Sequence, residues 1–190
     1  MNEKGSRRKV GDRHPPALLM NNRLRGLLER RNRFDYLLKN GNTVADLGSG
    51  SGYYALHFSE VLGPGGLVYA VDTNRGAIEA LDRKIKEGGI KNIVTSTSST
   101  AKLDFIPDST VDFVLSNLTL CCMAEHEAAV DEMMRIMKQG ARAYVSINTI
   151  GRKSDPRWLS RKEFGGFMER FGQLDKIHRR TVSAVLVEKK

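Results

Sequence analysis

The sequence predicts an α/β fold in three layers, in which helices cover both faces of an open, doubly wound and mostly parallel sheet. One observation is the short apolar run 43–47, which leads directly into a glycine-rich turn and a helical stretch at 53–62. Another is that short apolar runs, typical of buried strands, recur between helical stretches at 67–72, 93–95, 111–117 and 143–147. With 190 residues, the chain is long enough to bury such a core as one domain.

The turn after the first strand contains Gly48, Gly50 and Gly52, which permit a bend that residues with a Cβ could not make cheaply. A helix follows, so backbone N–H groups and a helix N-terminus lie beside any ligand, which suits a nucleotide. The dinucleotide fingerprint G-x-G-x-x-G does not match, because its third glycine comes one position early and Tyr53 stands where Gly or Ala is needed. No G-x-x-x-x-G-K-[ST] occurs, which excludes a P-loop.

Two acids stand at the ends of the first two strands. Asp46 lies two residues before the first glycine, where its carboxylate would repel a pyrophosphate and attract a cationic or amino-bearing ligand. Asp72 ends the strand 67–72, at a position where an acid commonly hydrogen-bonds ribose hydroxyls. The two acids together predict a nucleoside-containing ligand that carries positive charge.

The segment 46–52 resembles the first motif of the class I S-adenosylmethionine-dependent methyltransferases, and 71–72 resembles their second. The resemblance implies a Rossmann-like seven-stranded sheet with an antiparallel C-terminal strand, and S-adenosylmethionine as the cofactor, with S-adenosylhomocysteine as product. Within this family the chain looks most like the ubiquinone and menaquinone C-methyltransferase branch (methyltransferase type 11), judged also by 63–72 and 135–140. The cofactor-binding residues that the resemblance implies are Asp46, Gly48, Ser49, Gly50, Gly52, Asp72, Thr73, Ser99 and Asn117.

Residues 1–40 are predicted to form a basic N-terminal arm and cap helix, as part of the same domain as the cofactor-binding residues 41–190. A helical pattern of leucines runs over Ala17–Leu38, and weak helix formers inside it would also allow two shorter helices. In the resembled family such a segment lies over the mouth of the cofactor site. His14 and nearby arginines would then face the methyl acceptor. The alternative is that the arginines only solvate an outer helix face; these arginines are Arg30, Arg31 and Arg33.

A helix is predicted over 75–87, ended by Gly88 and Gly89, and the strand 93–95 then leads into the hydroxyl run Ser96–Thr100. Ser99 stands where many relatives carry an acid that contacts the adenine amino group. The resemblance therefore predicts that this loop borders adenine, and that the contact with the adenine amino group is weaker than in relatives that carry an acid. A polar surface turn is the alternative.

Asn117 ends the predicted strand 111–117, beside the first strand at the topological switch point, where open α/β sheets bind their ligands. It is expected to face the cofactor or the acceptor. The following residues, Leu118–Leu120, depart from the N-P-P-[YF] pattern of methyltransferases that act on exocyclic or amide nitrogens. Amino methylation of that type is therefore disfavoured.

Cys121 and Cys122 come next and are the two cysteines of the chain. Because they are adjacent, they suit a structural disulfide poorly, and a reducing cytoplasm is the expected location. Vicinal thiols could bind soft metals or metalloids, but two thiols are an incomplete metal site. Small buried hydrophobes are the plainer interpretation, and no metal site is predicted.

The C-terminal part predicts a helix over 124–137, the strand 143–147, a helix after the capping box at 160–163, and strands at 174–180 and 182–187. The segment 134–140 resembles the family's turn before the fifth strand. The resemblance implies that the last two strands form an antiparallel pair that closes the sheet.

Charge is distributed unevenly, with a formal total of +9. Residues 1–40 are net +7 and 151–190 are net +6, whereas 41–150 are net −4. One explanation for the basic ends is that they keep the protein soluble. The alternative is that they bind an acidic substrate, nucleic acid or an anionic surface near the site. No apolar run approaches the ~20 residues of a membrane span, and no secretory signal is evident.

The function predicted from these features is methyl transfer from S-adenosylmethionine to a small-molecule acceptor by direct displacement. An RNA or nucleoprotein methyltransferase that grips phosphates with its basic ends is the first alternative, and a non-catalytic cofactor-binding module is the second. No catalytic residue is assigned. His14 is the one histidine on a segment expected to cover the site, while His57, His126 and His178 are expected to be structural. The attacking atom and the oligomeric state are left open.

Overall fold

A computed structural model describes residues 29–190 of the chain. Within this range the strands are β1 (Thr43–Leu47), β2 (Leu67–Asp72), β3 (Ile93–Thr97), β4 (Val111–Asn117), β5 (Met137–Asn148), β6 (Gly172–His178) and β7 (Val182–Glu188). The α-helices are α1 (Ala55–Leu62), α2 (Arg75–Glu87), α3 (His126–Ile136) and α4 (Arg161–Met168), and 3₁₀ helices cover Arg31–Leu37 and Leu120–Cys122. The predicted basic arm, His14 and most of the cap helix lie outside the described residues.

The seven strands form one sheet in the order β3-β2-β1-β4-β5-β7-β6. Strands β1 to β5 pair in parallel, and β7 runs antiparallel to both β5 and β6. The sheet is therefore mostly parallel with one reversed strand near the C-terminus, which confirms the fold predicted from the sequence. Strand order reverses at β1, which lies between β2 and β4, so the topological switch point is at the carboxyl ends of β1 and β4.

Two hydrophobic clusters lie on the two faces of this sheet. One contains Phe58 of α1, Leu81 of α2 and Phe34 of the first 3₁₀ helix. The other contains Met133 of α3 and Phe164 of α4. Residues of β1 contribute to both clusters, because side chains alternate between the faces of a strand. Helices thus cover both faces, which confirms the predicted three layers.

Helix ends follow the local sequence. Asn74 caps α2, because its side chain accepts a hydrogen bond from the Ala77 N–H at 3.1 Å. Ser160 and Glu163 form the predicted capping box of α4, since each side chain accepts from the backbone N–H of the other. Gly88 follows the last residue of α2, as predicted.

The largest departure from the sequence-based boundaries is at β5. It starts at Met137, directly after α3, although 134–140 was expected to be a turn and the strand to start at 143. Met137 pairs with Val111 before the register shifts, and Gly140 has a φ of +73°, which a glycine adopts without strain. The pairing of Met137 with Val111 extends β5 toward its N-terminal end. Hydrophobic periodicity in the sequence does not predict such irregular pairing.

Candidate functional site

All nine predicted cofactor-binding residues lie in or just after the carboxyl ends of β1, β2, β3 and β4. Because these strands are parallel neighbours, their ends meet at one edge of the sheet. Asp46 and the glycine turn follow from β1, Asp72 and Thr73 from β2, and Asn117 from β4. Ser99 follows β3, the strand farthest from β4 in this group. The fold thus gathers these residues at the topological switch point.

The turn after β1 is fixed by backbone hydrogen bonds to β2. The N–H groups of Gly48 and Ser49 both donate to the Val71 carbonyl oxygen, at 2.7 and 3.0 Å. Gly48 has a φ of +80°, and a Cβ built there would collide with the Thr119 hydroxyl. Thr119 is itself anchored, since its hydroxyl donates to the Leu47 carbonyl at 2.7 Å. Position 48 therefore requires glycine for both conformation and space.

The other two glycines of the turn have different surroundings. Gly50 has a φ of +56°, and no atom lies within 4 Å of a Cβ built there. Gly52, with a φ of +86°, lies against Leu81 of α2, which leaves no space for a Cβ. Gly50 therefore borders open space where a ligand can approach the backbone, whereas Gly52 allows the turn to pack against the neighbouring helix.

Asp72 connects the turn to the end of β2. Its Oδ2 accepts a hydrogen bond from the Gly50 N–H at 2.8 Å, and its Oδ1 accepts from the Asn74 N–H at 2.8 Å. A carboxylate oxygen has two lone-pair sites, so each oxygen retains capacity for a hydroxyl donor. Thr73 lies between Asp72 and Asn74 in the chain. The Asp72 carboxylate can therefore hold the turn in place and bind a ribose diol at the same time.

Buried polar groups in the turn fit the implied cofactor. Asp46 and Ser49 are each 3% exposed. Among residues 29–190, no hydrogen-bond partner is found for the Ser49 hydroxyl, which is what a hydroxyl awaiting a ligand would show. Asp46 and Asp72 make this edge acidic, which favours the cationic amino and sulfonium groups of S-adenosylmethionine over a pyrophosphate. The residues present therefore fit S-adenosylmethionine.

Asn117 is the centre of a polar network at the end of β4. Its Oδ1 accepts from Arg33 Nη2 at 3.2 Å and from the Ser146 hydroxyl at 2.8 Å, and its Nδ2 donates to Glu29 Oε1 at 3.1 Å. Sequence reasoning selected Asn117 but missed Glu29 and Ser146. Ser146 is the register partner of Asn117 on β5, a relation that only strand pairing reveals.

In the described part of the cap segment, Arg33 reaches this network. It forms an ion pair with Glu29 at 2.9 Å, and its guanidinium lies 4.4 Å from the ring centroid of Phe34 and 4.9 Å from that of Tyr144. Arg30 and Arg31 are exposed, as expected for residues that solvate an outer face. Burial raises the pKa of Tyr144, while the positive charge of Arg33 opposes that rise.

Ser99 is partly buried and takes part in its own turn. Its hydroxyl accepts from the Ala101 N–H at 3.2 Å, and its carbonyl accepts from the Lys102 N–H at 2.9 Å. The hydroxyl keeps a proton to donate. Contact with adenine stays a prediction, and so does the ligand contact of the other eight residues.

Cys121 and Cys122 lie just beyond this edge and are not joined in a disulfide. The Asn148 N–H donates to Cys121 Sγ at 3.2 Å. A hydrogen bond from Cys122 is the main cause that lowers the pKa of the Cys121 thiol to about 7, against the opposing effect of burial. In the part of the chain that the structure describes, no group of three or more His, Cys, Asp and Glu residues could hold a metal ion.

The histidines of the described residues have structural neighbours. His57 Nε2 lies 2.8 Å from Asp35 Oδ1, and this pair ties α1 to the first 3₁₀ helix. His178 Nδ1 lies 3.2 Å from the Ser183 hydroxyl. The ring of His126 packs beside Phe167. These contacts agree with the structural roles expected from the sequence.

A seven-stranded sheet of this order, with an acid before a glycine turn on β1 and a second acid ending β2, is characteristic of the class I S-adenosylmethionine-dependent methyltransferases that the sequence resembles. Comparison with known sequences agrees. The family described as "Methyltransferase domain" matches residues 45–145. The chain belongs to this family, whose cofactor is S-adenosylmethionine.

Individual relatives are similar at modest identity. The ubiquinone/menaquinone biosynthesis C-methyltransferase of Pseudomonas fluorescens is 34% identical over 132 residues, which cover 67% of this chain and 51% of the relative. The protein of the same name from Pasteurella multocida is 29% identical over 108 residues, covering 57% and 40%. The chain therefore spans only about half the length of these relatives.

Solved structures agree with the fold. A S-adenosylmethionine-dependent methyltransferase from Aquifex aeolicus aligns with a TM-score of 0.68 at 24% identity, covering 93% of this chain and 94% of that one. A putative sarcosine dimethylglycine methyltransferase from Galdieria sulphuraria aligns with a TM-score of 0.72 at 13% identity, covering 88% and 86%. At these identities the likeness concerns the fold alone.

Proposed function

We propose that this chain transfers the methyl group of S-adenosylmethionine to a small-molecule acceptor by direct displacement. The observation that carries the proposal is the convergence of Asp46, Asp72 and the open backbone at Gly50 on one edge of the sheet. Two acids and a glycine turn match a ligand with a ribose diol and positive charge. Membership in the methyltransferase domain family supports the same activity.

In this proposal the cofactor supplies an electrophilic methyl group on a sulfonium. Asp72 accepts hydrogen bonds from the ribose hydroxyls, and each such charged hydrogen bond contributes about 1.5–3 kcal/mol. Asp46 faces the amino-acid end of the cofactor, and Gly50 lets it approach the backbone. Holding the acceptor in line with the methyl group can lower the barrier by about 7–11 kcal/mol. A general base is needed only for acceptors that must lose a proton, and none is assigned.

A small organic acceptor is supported by the relatives, which are named for the biosynthesis of ubiquinone and menaquinone and for methylation on carbon. The residues after Asn117 also disfavour the amide and exocyclic amine acceptors. A cytoplasmic location is part of the same proposal, because cysteines that form no disulfide suit a reducing compartment. Among residues 29–190, no helix combines the length and the apolar character that a bilayer crossing requires.

The first test is calorimetric titration with S-adenosylmethionine and S-adenosylhomocysteine, with NAD as the control ligand. The variant Asp72→Ala should bind S-adenosylhomocysteine at least roughly 100-fold more weakly, because it loses charged hydrogen bonds to the ribose. Asp104→Ala is the matched control, since the Asp104 side chain is 74% exposed and lies outside the site. Unchanged affinity in Asp72→Ala would remove the central assignment.

Turnover separates catalysis from binding. Transfer of a labelled methyl group to a panel of small quinols, phenols and carboxylates should occur with the wild-type chain and fall with Asp72→Ala. Tight binding of S-adenosylmethionine without transfer to any acceptor would favour a non-catalytic cofactor-binding module instead.

An RNA acceptor is the second candidate, and one surface observation favours it. Arg161 reaches the backbone carbonyls of Arg179 and Arg180, so three arginines meet in one exposed patch. Such a patch would bind phosphates. RNA affinity that falls steeply with salt, and falls further in Arg179→Ala/Arg180→Ala, would support this candidate over a small molecule.

A further inference from the structure

Cys121 and Cys122 are a pair of reactive side chains that the proposed methyl transfer does not use. We propose that they form a dithiol site that binds a trivalent, thiophilic metalloid compound of the organic arsenical class. The site lies just after the carboxyl end of β4, in the 3₁₀ helix Leu120–Cys122. It requires neither a bound cofactor nor a particular methyl acceptor.

The two sulfur atoms converge on one point. Cys121 Sγ and Cys122 Sγ each lie 3.4 Å from the Leu118 carbonyl oxygen. The short helix holds them there, since the Cys122 N–H donates to the Thr119 carbonyl at 2.9 Å. Adjacent cysteines on an extended strand would point to opposite faces. Here the helical turn brings both sulfurs within reach of a single atom.

The surroundings favour reaction at these thiols. The Asn148 N–H donates to Cys121 Sγ at 3.2 Å, which stabilises negative charge on the attacking sulfur. Both cysteines are partly exposed, so a small reagent can reach them. The chain contains two cysteines in all, so no third thiol competes for the compound.

The chemistry balances without an oxidant. An organic arsenic(III) oxide exchanges its oxygen for the sulfurs of two thiols: two As–S bonds form, the As–O bonds break, and the two thiol protons leave with the oxygen as one water molecule. The third bond of arsenic keeps its carbon substituent, so two thiols complete the coordination. A tetrahedral metal ion such as zinc would need further ligands, which explains why this pair suits a metalloid better than a metal.

The test uses the full chain and phenylarsine oxide. Native mass spectrometry should show one adduct per chain, with the mass of the reagent less one water. A dithiol such as ethanedithiol should release the arsenical, whereas an equal thiol concentration of 2-mercaptoethanol should not, because the chelate must lose both bonds at once.

Single-cysteine variants provide the second measurement. Cys121→Ser and Cys122→Ser should each bind phenylarsine oxide at least about 100-fold more weakly, since each leaves a single sulfur bond. Urea unfolding serves as the fold control for both variants. Two adducts per chain, equal release by the monothiol, or either variant binding as tightly as wild type would overturn the proposal. The release measurement on wild-type protein holds even where a variant fails to fold.

Discussion

At the scale of single residues, the carboxylate oxygens of Asp72 both stabilise the glycine turn and are proposed to bind the ligand. Its two carboxylate oxygens hold the backbone N–H groups of Gly50 and Asn74, and the same oxygens are proposed to accept from ribose hydroxyls. The turn and the ligand are therefore coupled, because loss of the carboxylate loosens the turn that borders the ligand space. Replacement by asparagine keeps acceptor capacity at one atom and removes the charge.

The glycines of the turn give a prediction at the same scale. Gly48→Ala should destabilise the fold by about 1–3 kcal/mol more than Gly50→Ala, because the new methyl group meets Thr119 at position 48 and open space at position 50. Both variants carry the strain of a positive φ. Urea unfolding measures the difference.

Gly41→Ala is the matched control, because Gly41 has a φ of +82° with open space around it and lies away from the site. It should lose stability as Gly50→Ala does and keep its S-adenosylhomocysteine affinity. Gly50→Ala should lose affinity, since its methyl group enters the proposed ligand space. Equal affinity in Gly41→Ala and Gly50→Ala would count against a ligand at that place.

At the scale of elements, the 3₁₀ helix Arg31–Leu37 is attached to the sheet through both apolar and polar contacts. Phe34 is 3% exposed and lies 4.8 Å from the Tyr144 ring of β5 and 5.8 Å from the Phe113 ring of β4. Arg33 adds its contacts with Asn117 and the aromatic rings. The segment is therefore attached to β4 and β5 by Phe34 and Arg33. That the cap segment covers the mouth of the cofactor site stays a prediction.

Arg33→Ala should lower the free energy of unfolding by about 1–2 kcal/mol, because the variant loses cation–π contacts and the hydrogen bond to Asn117. Arg31→Ala is the matched control from the same helix, and since Arg31 is exposed its effect should stay within about 0.5 kcal/mol. Chemical denaturation of the two variants measures the difference. Equal effects would mean that Arg33 contributes no more than a surface charge.

A second element-scale contact joins α3 to the loop before β4. Glu132 accepts from Arg135 Nε and from the Leu103 N–H, both at 2.7 Å, and its side chain is 17% exposed. The hydrogen bond from Arg135 is the main cause that lowers the pKa of Glu132. Its ionised form is therefore more stable in the folded than in the unfolded chain.

Glu132→Gln should cost about 1–3 kcal/mol of stability at pH 7. A lowered pKa contributes stability above the ordinary glutamate value of about 4.3, and that contribution disappears as pH falls through the folded-state pKa. The difference between wild type and variant should therefore shrink below about pH 4. Unfolding curves from pH 3 to 7 measure it. The exposed ion pair Arg75–Glu79 provides the control, and Glu79→Gln should change stability by less than about 1 kcal/mol.

At the scale of the whole molecule, the sheet places the acidic site and the C-terminal arginines at different strands. The acids end β1 and β2 at one side of the sheet order, whereas the C-terminal arginines flank β6 and β7 at the other. An anionic partner would thus meet the patch of Arg161, Arg179 and Arg180 away from Asp46 and Asp72. Because β6 runs parallel to β1, Arg179 and Arg180 follow its carboxyl end, at the same edge of the sheet as the acids but several strands away.

Cofactor binding should stabilise the entire domain. At a concentration 100 times the dissociation constant, S-adenosylhomocysteine should add about 2.7 kcal/mol to the unfolding free energy. For a chain of this size that corresponds to a rise in Tm of roughly 5–10 °C. Differential scanning calorimetry with and without the ligand measures it, and NAD should cause no shift. An equal shift in Asp72→Ala at the same ligand concentration would contradict the proposed ribose contact.

The sequence by itself determined the fold class, most strand positions and the cluster of candidate residues, because these depend on local patterns. Buried parallel strands are short apolar runs, a glycine turn is recorded in its glycines, and the capping box of Ser160 and Glu163 is a four-residue signal. The acids at positions 46 and 72 could be placed together because ends of neighbouring parallel strands meet.

The tertiary structure alone decided the contacts between segments distant along the chain. Ser146 meets Asn117 through strand register, Thr119 fixes the need for glycine at position 48, and Arg33 turns inward while Arg31 does not. The early start of β5 likewise depends on its pairing with Val111. Each of these contacts depends on packing between side chains or strands that are distant in the sequence. A local sequence pattern cannot predict them, because their interaction energies depend on neighbours in space.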